Sequence, residues 1–341
     1  MNDSIREQFV TKFQQCTLIT EKVNLIADPD LLSLITADAP FILDLCSKIV
    51  EEVEEKHFVF FDQNLEGSLY FTMARSYNVL SNLEDALREY TRAMYCFQNT
   101  KNLGMEAKCL SGIGGVYEKS GDNATAYDYS YTALEKALKT GDRELEARLM
   151  NDLGYTHVVF GEYEKAMSYL LPSMQYLETS TNEMLLSFTK DSIAQAYLGL
   201  GQIDEALTNE IDAVEVARNC GNWYGVASFL NFVGQIYHKQ GKIEQALSCI
   251  ADSQKISEER GYETECATSY RFRGHIFQST GDYDKAILNF KQAASIAKRI
   301  HANRVLFEIY KEISDTARDL KDFEQALRYF EHFHRLKEAA Q

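Results

Sequence analysis

Few residue patterns in this sequence could do covalent chemistry. Ser111-Gly112-Ile113-Gly114-Gly115 has the glycine density of a loop whose backbone N–H groups cradle a phosphate. Such a loop follows a strand and opens a helix, whereas the residues around this one keep helical spacing, so its glycines read as close-packing positions. His332 and His334 could be taken for a metal pair, but two residues apart on a helix they point to different sides. No His-Glu-x-x-His and no Gly-x-Ser-x-Gly occurs. The seven cysteines (16, 46, 96, 109, 220, 249 and 266) are odd in number and never paired as Cys-x-x-Cys. Most fall on apolar helix faces, as free thiols buried in a reducing cytoplasm would. The expectation is a chain with no catalytic residue, no cofactor and no metal site.

Charge points to the class of partner. The net charge is −16, and residues 261–341 hold thirteen Lys and Arg against twelve Asp and Glu, so the excess acid lies in 1–260. Such a surface repels phosphate backbones, which argues against nucleic acid and for a neutral or basic polypeptide. The run Glu51-Glu52-Val53-Glu54-Glu55 reads as a solvated helix face around one buried Val. The polar start and the lack of a long apolar run argue against a signal peptide and a membrane span. Three charged residues interrupt apolar positions: Lys190, Glu210 and Arg273. Lys190 and Glu210 occupy facing slots and are expected to form a partly buried ion pair. Arg273 is expected to pack its stem and send its head to solvent.

The elements that carry these residues repeat. Gly281-Asp282-Tyr283-Asp284-Lys285-Ala286 combines a glycine that ends one helix, an Asp that caps the next and an Ala one turn in. Steps of forty residues give Gly241 to Ala246, Gly201 to Ala206, Gly161 to Ala166 and Gly121 to Ala126, a worn copy from Ser81 to Ala86, and Lys321 to Ala326. A fixed period of this size means a helical repeat array. Residues 1–64 precede it as a helical cap or degenerate repeat. There a first helix carries Ile5, Phe9, Phe13 and Cys16, Asp28-Pro29-Asp30 breaks the chain before a short helix from Leu31 to Ile35, and Pro40 starts a helix from Phe41 to about His57. Within each unit of 65–341 a small residue on the first helix (Gly114, Gly154, Ala194, Gly234, Gly274, Ser314) should meet the Ala on the second. Pro172 should kink the second helix of its unit.

These slots resemble the tetratricopeptide repeat, in which a large residue is followed by Leu-Gly, Tyr and Ala. They read Leu110, Ile113-Gly114, Tyr117 and Ala126 in one unit, Met150, Leu153-Gly154, His157 and Ala166 in the next, and Leu230, Val233-Gly234, Tyr237 and Ala246 further on. The period of forty and the missing terminal Pro are similar to the longer-helix variant of cell-polarity scaffolds, peptide-pheromone receptors of bacilli and bacterial signalling proteins. The fold this implies is all-α: a right-handed superhelical α-solenoid of about seven helix pairs with a helical N-terminal cap. Phe330-Glu-His332-Phe333-His334-Arg335-Leu336-Lys337-Glu338 looks like the last repeat helix of bacterial proteins whose array feeds an output domain such as a diguanylate cyclase.

The family makes its contacts from first-helix positions three before and one after the small residue. Carried onto this chain, those positions give a concave ligand-binding face of Asn151, Tyr155, Asp191, Gln195, Asn231, Gln235, Arg271, His275 and Lys311. The amides suit an extended peptide backbone, and Arg271, His275 and Lys311 suit a carboxylate. The resemblance implies a cytoplasmic, non-enzymatic scaffold binding a protein or peptide segment in the groove, with no nucleic acid and no membrane; the C-terminal helix offers a homodimer contact. The reading it supports first is the sensory part of a bacterial signalling protein. A stand-alone receptor for a short signalling peptide and a structural assembly adaptor are the alternatives.

Overall fold

The computed structural model describes residues 3–27, 35–300 and 302–339, all of whose regular elements are α-helices. Contacts divide the chain into two compact units, Met1–Thr156 and His157–Gln341. The break at Asp28-Pro29-Asp30 and the helix expected from Leu31 lie outside the described residues.

In the first unit, α1 (Asp3–Gln15), α2 (Ile19–Ile26) and α3 (Ile35–Glu55) precede the helix pairs α4 (Gln63–Val79) with α5 (Leu83–Thr100) and α6 (Leu103–Ser120) with α7 (Asn123–Ala137). Helix α8 (Arg143–Val159) follows, and the division between units falls inside it. Asp38 interrupts α3 with non-helical backbone (φ −154°, ψ 59°), and its carboxylate accepts from the Phe41 N–H at 3.3 Å. Pro40 therefore sits in the first turn after a cap, where its missing N–H costs nothing. Phe13, Val23, Ile42, Leu45, Cys46 and Ile49 form one core with Leu69 and Met73 of α4, so the N-terminal helices pack on the first repeat helix. Glu52 bonds Lys22 and Lys56, each at 2.5 Å, and ties α2 to α3.

The second unit continues the pattern. It contains α9 (Tyr163–Leu177), α10 (Glu183–Gly199) with α11 (Ile203–Asn219), α12 (Trp223–Lys239) with α13 (Ile243–Arg260), α14 (Glu263–Ser279) with α15 (Tyr283–Arg299), and α16 (Asn303–Asp319) with α17 (Phe323–Ala339). Helix α9 continues through Pro172 to Leu177. Its core is a chain of small clusters, each passing from one pair to the next, such as Ala213, Val214, Val226 and Phe229.

The turns explain the period. Gly121, Gly161, Gly201, Gly241 and Gly281 are left-handed, and so are Gly141, Gly221 and Gly261 at the other turn of the unit, with φ from +72° to +88°. Both connections are thus built alike, and turns recur every twenty residues. Ser81, Lys101 and Lys321 take the same conformation without being glycine. Asn82, Asn102, Asp122, Asn182, Asn222 and Asp282 follow at the cap, each accepting from the N–H three residues on.

The helix crossings are close at the small residues. A Cβ on Gly114 would lie 3.1 Å from the Ala126 carbonyl oxygen, and one on Gly234 would lie 3.2 Å from that of Ala246. Ser314 makes the same crossing by donating its hydroxyl to the Ala326 carbonyl at 2.8 Å. The first six register alanines, Ala86 to Ala286, are between 0% and 3% exposed, while Ala326 in the last helix is half-buried.

Candidate functional site

In the first unit, Asn151 is buried with its Oδ1 unpartnered, and Tyr155 is exposed at the edge of the same stripe of α8. Asp152 between them accepts from the Ser111 hydroxyl at 3.1 Å. Burial pushes the Asp152 carboxyl above its ordinary range, against the pull of Arg148 and of the Ser111 and Asn151 donors.

In the second unit, Asp191 and Gln195 sit one turn apart on α10, and the Gln195 amide donates to Asp191 Oδ2 at 3.0 Å. Glu210 of α11 faces Asp191, is fully buried, and has no protein donor on either carboxylate oxygen. Burial raises both carboxyls: Asp191 to about 7, against the pull of the Gln195 and Glu210 donors, and Glu210 well above its ordinary value, where the neighbouring Asp191 adds to the effect. This corrects the expected Lys190–Glu210 pair. Neighbouring residues on a helix diverge by about 100°, so only one of Lys190 and Asp191 can face Glu210. Asp191 does so, and Lys190 reaches Asp212 instead at 3.4 Å.

Asn231 is 1% exposed, donates to the Glu265 carbonyl at 3.4 Å and accepts from the Ser269 hydroxyl at 2.9 Å. It belongs to a buried polar seam with Ser253, whose hydroxyl donates to the Ala227 carbonyl at 2.6 Å. Gln235, one turn further, is half-buried. Gln195 also lines a cavity of about 210 Å³ with Tyr163, Leu198, Phe232 and Lys239.

Towards the last helices the charge is matched within the protein. Arg271 donates from Nε (2.9 Å) and Nη2 (2.5 Å) to Glu312 and from Nη2 to Glu308 (3.0 Å), while His275 Nε2 lies 3.3 Å from Glu312. Burial alone would raise the Glu312 carboxyl; His275 and Arg271 hold it below its ordinary value. The cationic surface expected from Arg271 and His275 is therefore matched by Glu308 and Glu312, and of the three only Lys311 is exposed. Arg273 is half-buried with its guanidinium over the Tyr270 ring at 6.0 Å, as its packed stem requires.

Glu312, Glu308, Glu265 and Ser269 escaped the sequence reading. The signal that finds Glu312 is an offset of forty-one. Ser111 to Asp152, Lys119 to the Asn78 carbonyl, His238 to Ser279 and Arg271 to Glu312 all bond across that interval, because successive first helices touch one residue out of register with the repeat.

Among the described residues no group of His, Cys, Asp and Glu could hold a metal ion, and no helix is long and apolar enough to cross a membrane.

Comparison with known proteins agrees with this architecture. Residues 227–260 and 264–339 match the tetratricopeptide repeat. No curated protein matches the chain in sequence. Among solved structures, a Rap protein complexed with Competence and Sporulation Factor is 15% identical over 98% of both chains, with a TM-score of 0.68. The apo form of the quorum sensor NprR from B. thuringiensis is 13% identical over 98% of this chain and 93% of its own, with a TM-score of 0.67. The Rap conjugation gene regulator of plasmid pLS20, in complex with the Phr* peptide, is 12% identical over 95% and 96%, with a TM-score of 0.63. At these identities the likeness shows the fold. The chain is an all-α protein of tetratricopeptide repeats, in the forty-residue form, built as successive helix pairs.

Proposed function

We propose that this protein is a non-enzymatic, cytoplasmic scaffold that captures a short polypeptide segment on the first-helix face of its repeats. The observation that carries the reading is the Asp191–Gln195–Glu210 cluster. There a buried carboxyl without a protein donor stands behind a half-buried acid–amide pair at the edge of a cavity. The Asp191–Gln195 pair is half-buried, and an extended peptide supplies donors and acceptors complementary to its open edge. Within the second unit Gln235 and Lys311 offer further polar contacts, and Asn231 and the Arg271–His275 pair hold the surface behind them.

The fold likeness to a regulator solved with the Phr* peptide supports a peptide as the ligand class. A peptide or sporulation factor is bound in two of these neighbours, which favours the receptor for a signalling peptide over a sensor for a cyclase. The last helix, with Phe323, Leu327 and Phe330 exposed between alternating Glu324, Arg328, Glu331 and Arg335, is the surface we assign to a second copy of the chain.

The test is capture from a library of five- to ten-residue peptides. Gln195→Ala with Gln235→Ala should abolish it while the protein stays folded. Undiminished capture would remove the reading.

A further inference from the structure

One corner of the second unit is left unfilled. Between α14 and α16, at the turn that follows α15, lies a recess of about 100 Å³. Its walls are Phe272 of α14, Ala297 of α15, Ile300 and Ala302 of the turn, and Val305 of α16, and exposed Thr264 stands at its mouth. Protein interiors are close-packed and hold few voids larger than a water molecule, so a recess of this size at a repeat junction has a cause in the residues around it.

The cause lies in three slots. By the forty-residue register, Thr264, Ile300 and Ala302 are the counterparts of Asn64, Thr100 and Asn102 in the first unit, and of Tyr224, Arg260 and Tyr262 one repeat earlier. In the first unit these residues close their corner by bonding one another: Asn64 Oδ1 accepts from the Thr100 hydroxyl at 2.9 Å and from the Asn102 amide at 3.0 Å. One repeat earlier, two rings close it. Tyr224 and Tyr262 meet edge to face with centroids 5.5 Å apart, and the Tyr224 hydroxyl donates to Glu265. Thr264, Ile300 and Ala302 can do neither. Thr264 carries no ring, Ala302 gives α16 no side-chain cap, and the counterpart of Glu265 is Val305. The Thr268 hydroxyl turns back to the Thr264 carbonyl at 3.0 Å. The corner has lost the rings and kept the space they would occupy.

Walls, rim and volume fix the class of ligand. Apolar cavities of about 150 Å³ stay dry and take up benzene. A recess of about 100 Å³ that opens at Thr264 accepts one such ring with its edge left in the mouth. Arg271 also lines the recess, but its guanidinium is committed to Glu308 and Glu312, so the rim presents no unmatched charge and favours a neutral molecule. The Thr264 hydroxyl both donates and accepts, which suits a phenolic hydroxyl or a ring N–H. A free molecule of this size fills the recess completely, whereas a side chain must also seat its own backbone over Thr264 and Arg271.

We propose that this corner binds a small, neutral, single-ring aromatic molecule, whose ring takes the space that Tyr224 and Tyr262 fill one repeat earlier and whose polar edge meets Thr264. The site uses none of Asp191, Gln195 and Glu210 and does not rest on the capture of a peptide.

The test titrates 4-fluorophenol into the full-length protein and follows its fluorine NMR signal. Binding should saturate, and phenol should displace the probe at least about tenfold more effectively than cyclohexanol, whose puckered ring is thicker. Thr264→Tyr with Ala302→Tyr installs the residues of the preceding corner and should abolish binding while the melting midpoint stays unchanged or rises. Ala302→Leu, which fills the recess from one side, should weaken binding at least about tenfold. Val305→Ala, which enlarges it, should shift the preference from 4-fluorophenol towards 5-fluoroindole. The variant Gln195→Ala with Gln235→Ala should bind the probe as the parent does, so failure here and failure of the library capture are separable. Absence of saturable binding, filled variants that bind like the parent, or displacement by a blocked Gly-Phe-Gly tripeptide as effective as by phenol would each overturn the proposal, the last by making the recess an anchor for a polypeptide side chain.

Discussion

Arg271 holds Glu312 through two guanidinium nitrogens at 2.9 and 2.5 Å, and the two residues are forty-one apart in a chain whose repeat is forty. That single residue of offset is how each first helix meets the next. It converts a row of equivalent positions, which a repeat comparison displays, into diagonal contacts, which it does not.

The pair is half-buried on both sides, so removing one partner strands the other. Arg271→Ala should destabilise the second unit by about 1–3 kcal/mol, less than a fully buried pair because solvent screens it. Arg271→Met with Glu312→Leu should recover most of the loss. Denaturant melts of the two variants check this, and equal stability of Arg271→Ala and the parent would contradict it.

The Asp191–Glu210 pair makes stability depend on pH in a defined direction. Asp191 and Glu210 both bind a proton more tightly folded than unfolded, because burial disfavours their charge and Asp191 adds to the effect on Glu210. Stability should therefore be greatest in mild acid and fall as pH rises out of the ordinary carboxylate range, through about 7 where Asp191 loses its proton and onward as Glu210 follows. Thermal melts from pH 5 to 8 should show this slope, and Asp191→Asn should flatten it and raise the midpoint at pH 8. A midpoint that climbs with pH over that interval would show that the pair is not protonated in the folded state.

Glycine substitutions should split by sign. A Cβ on Gly234 would stand 2.8 Å from Ile250 Cγ1 and 3.2 Å from the Ala246 carbonyl, whereas one on Gly115 has room. Gly234→Ala should cost about 1–2 kcal/mol through overpacking, and Gly115→Ala should gain up to about 1 kcal/mol from helix propensity. Urea midpoints of the two variants give the comparison; like signs would mean that the crossing at Gly234 is not tight.

The turn at Lys101 tests the twenty-residue punctuation. Its φ of +56° suits glycine, and its side chain is exposed. Lys101→Gly should stabilise by roughly 0.5–1 kcal/mol, the relief of left-handed strain reduced by the entropy glycine adds to the unfolded chain. A loss of stability would show that this turn is set by other contacts.

The sequence displays what repeats and hides what does not. The alanines from Ala86 to Ala326, the small residues facing them and the glycine turns were all legible because each is dictated by backbone approach or backbone dihedral, and such demands recur at fixed spacing. Arg271 and Asn231 were legible as positions but not as environments. Whether a polar side chain on that face meets solvent or a neighbour depends on the residue forty-one or thirty-eight further on, as Glu312 and Ser269 show. Lys190 and Glu210 were misread for a related reason. Facing slots fix which helices meet, but the rotation that turned Asp191 rather than Lys190 towards Glu210 is set by packing on both flanks.

The central claim, that the first-helix face of the second unit captures a peptide, is tested most directly by titrating a library-selected peptide into the parent and into Gln195→Ala with Gln235→Ala by calorimetry. The account predicts at least a tenfold loss of affinity, about 1.4 kcal/mol or more, with a melting midpoint moved by no more than about 2 °C. Equal affinity in the two proteins would contradict it.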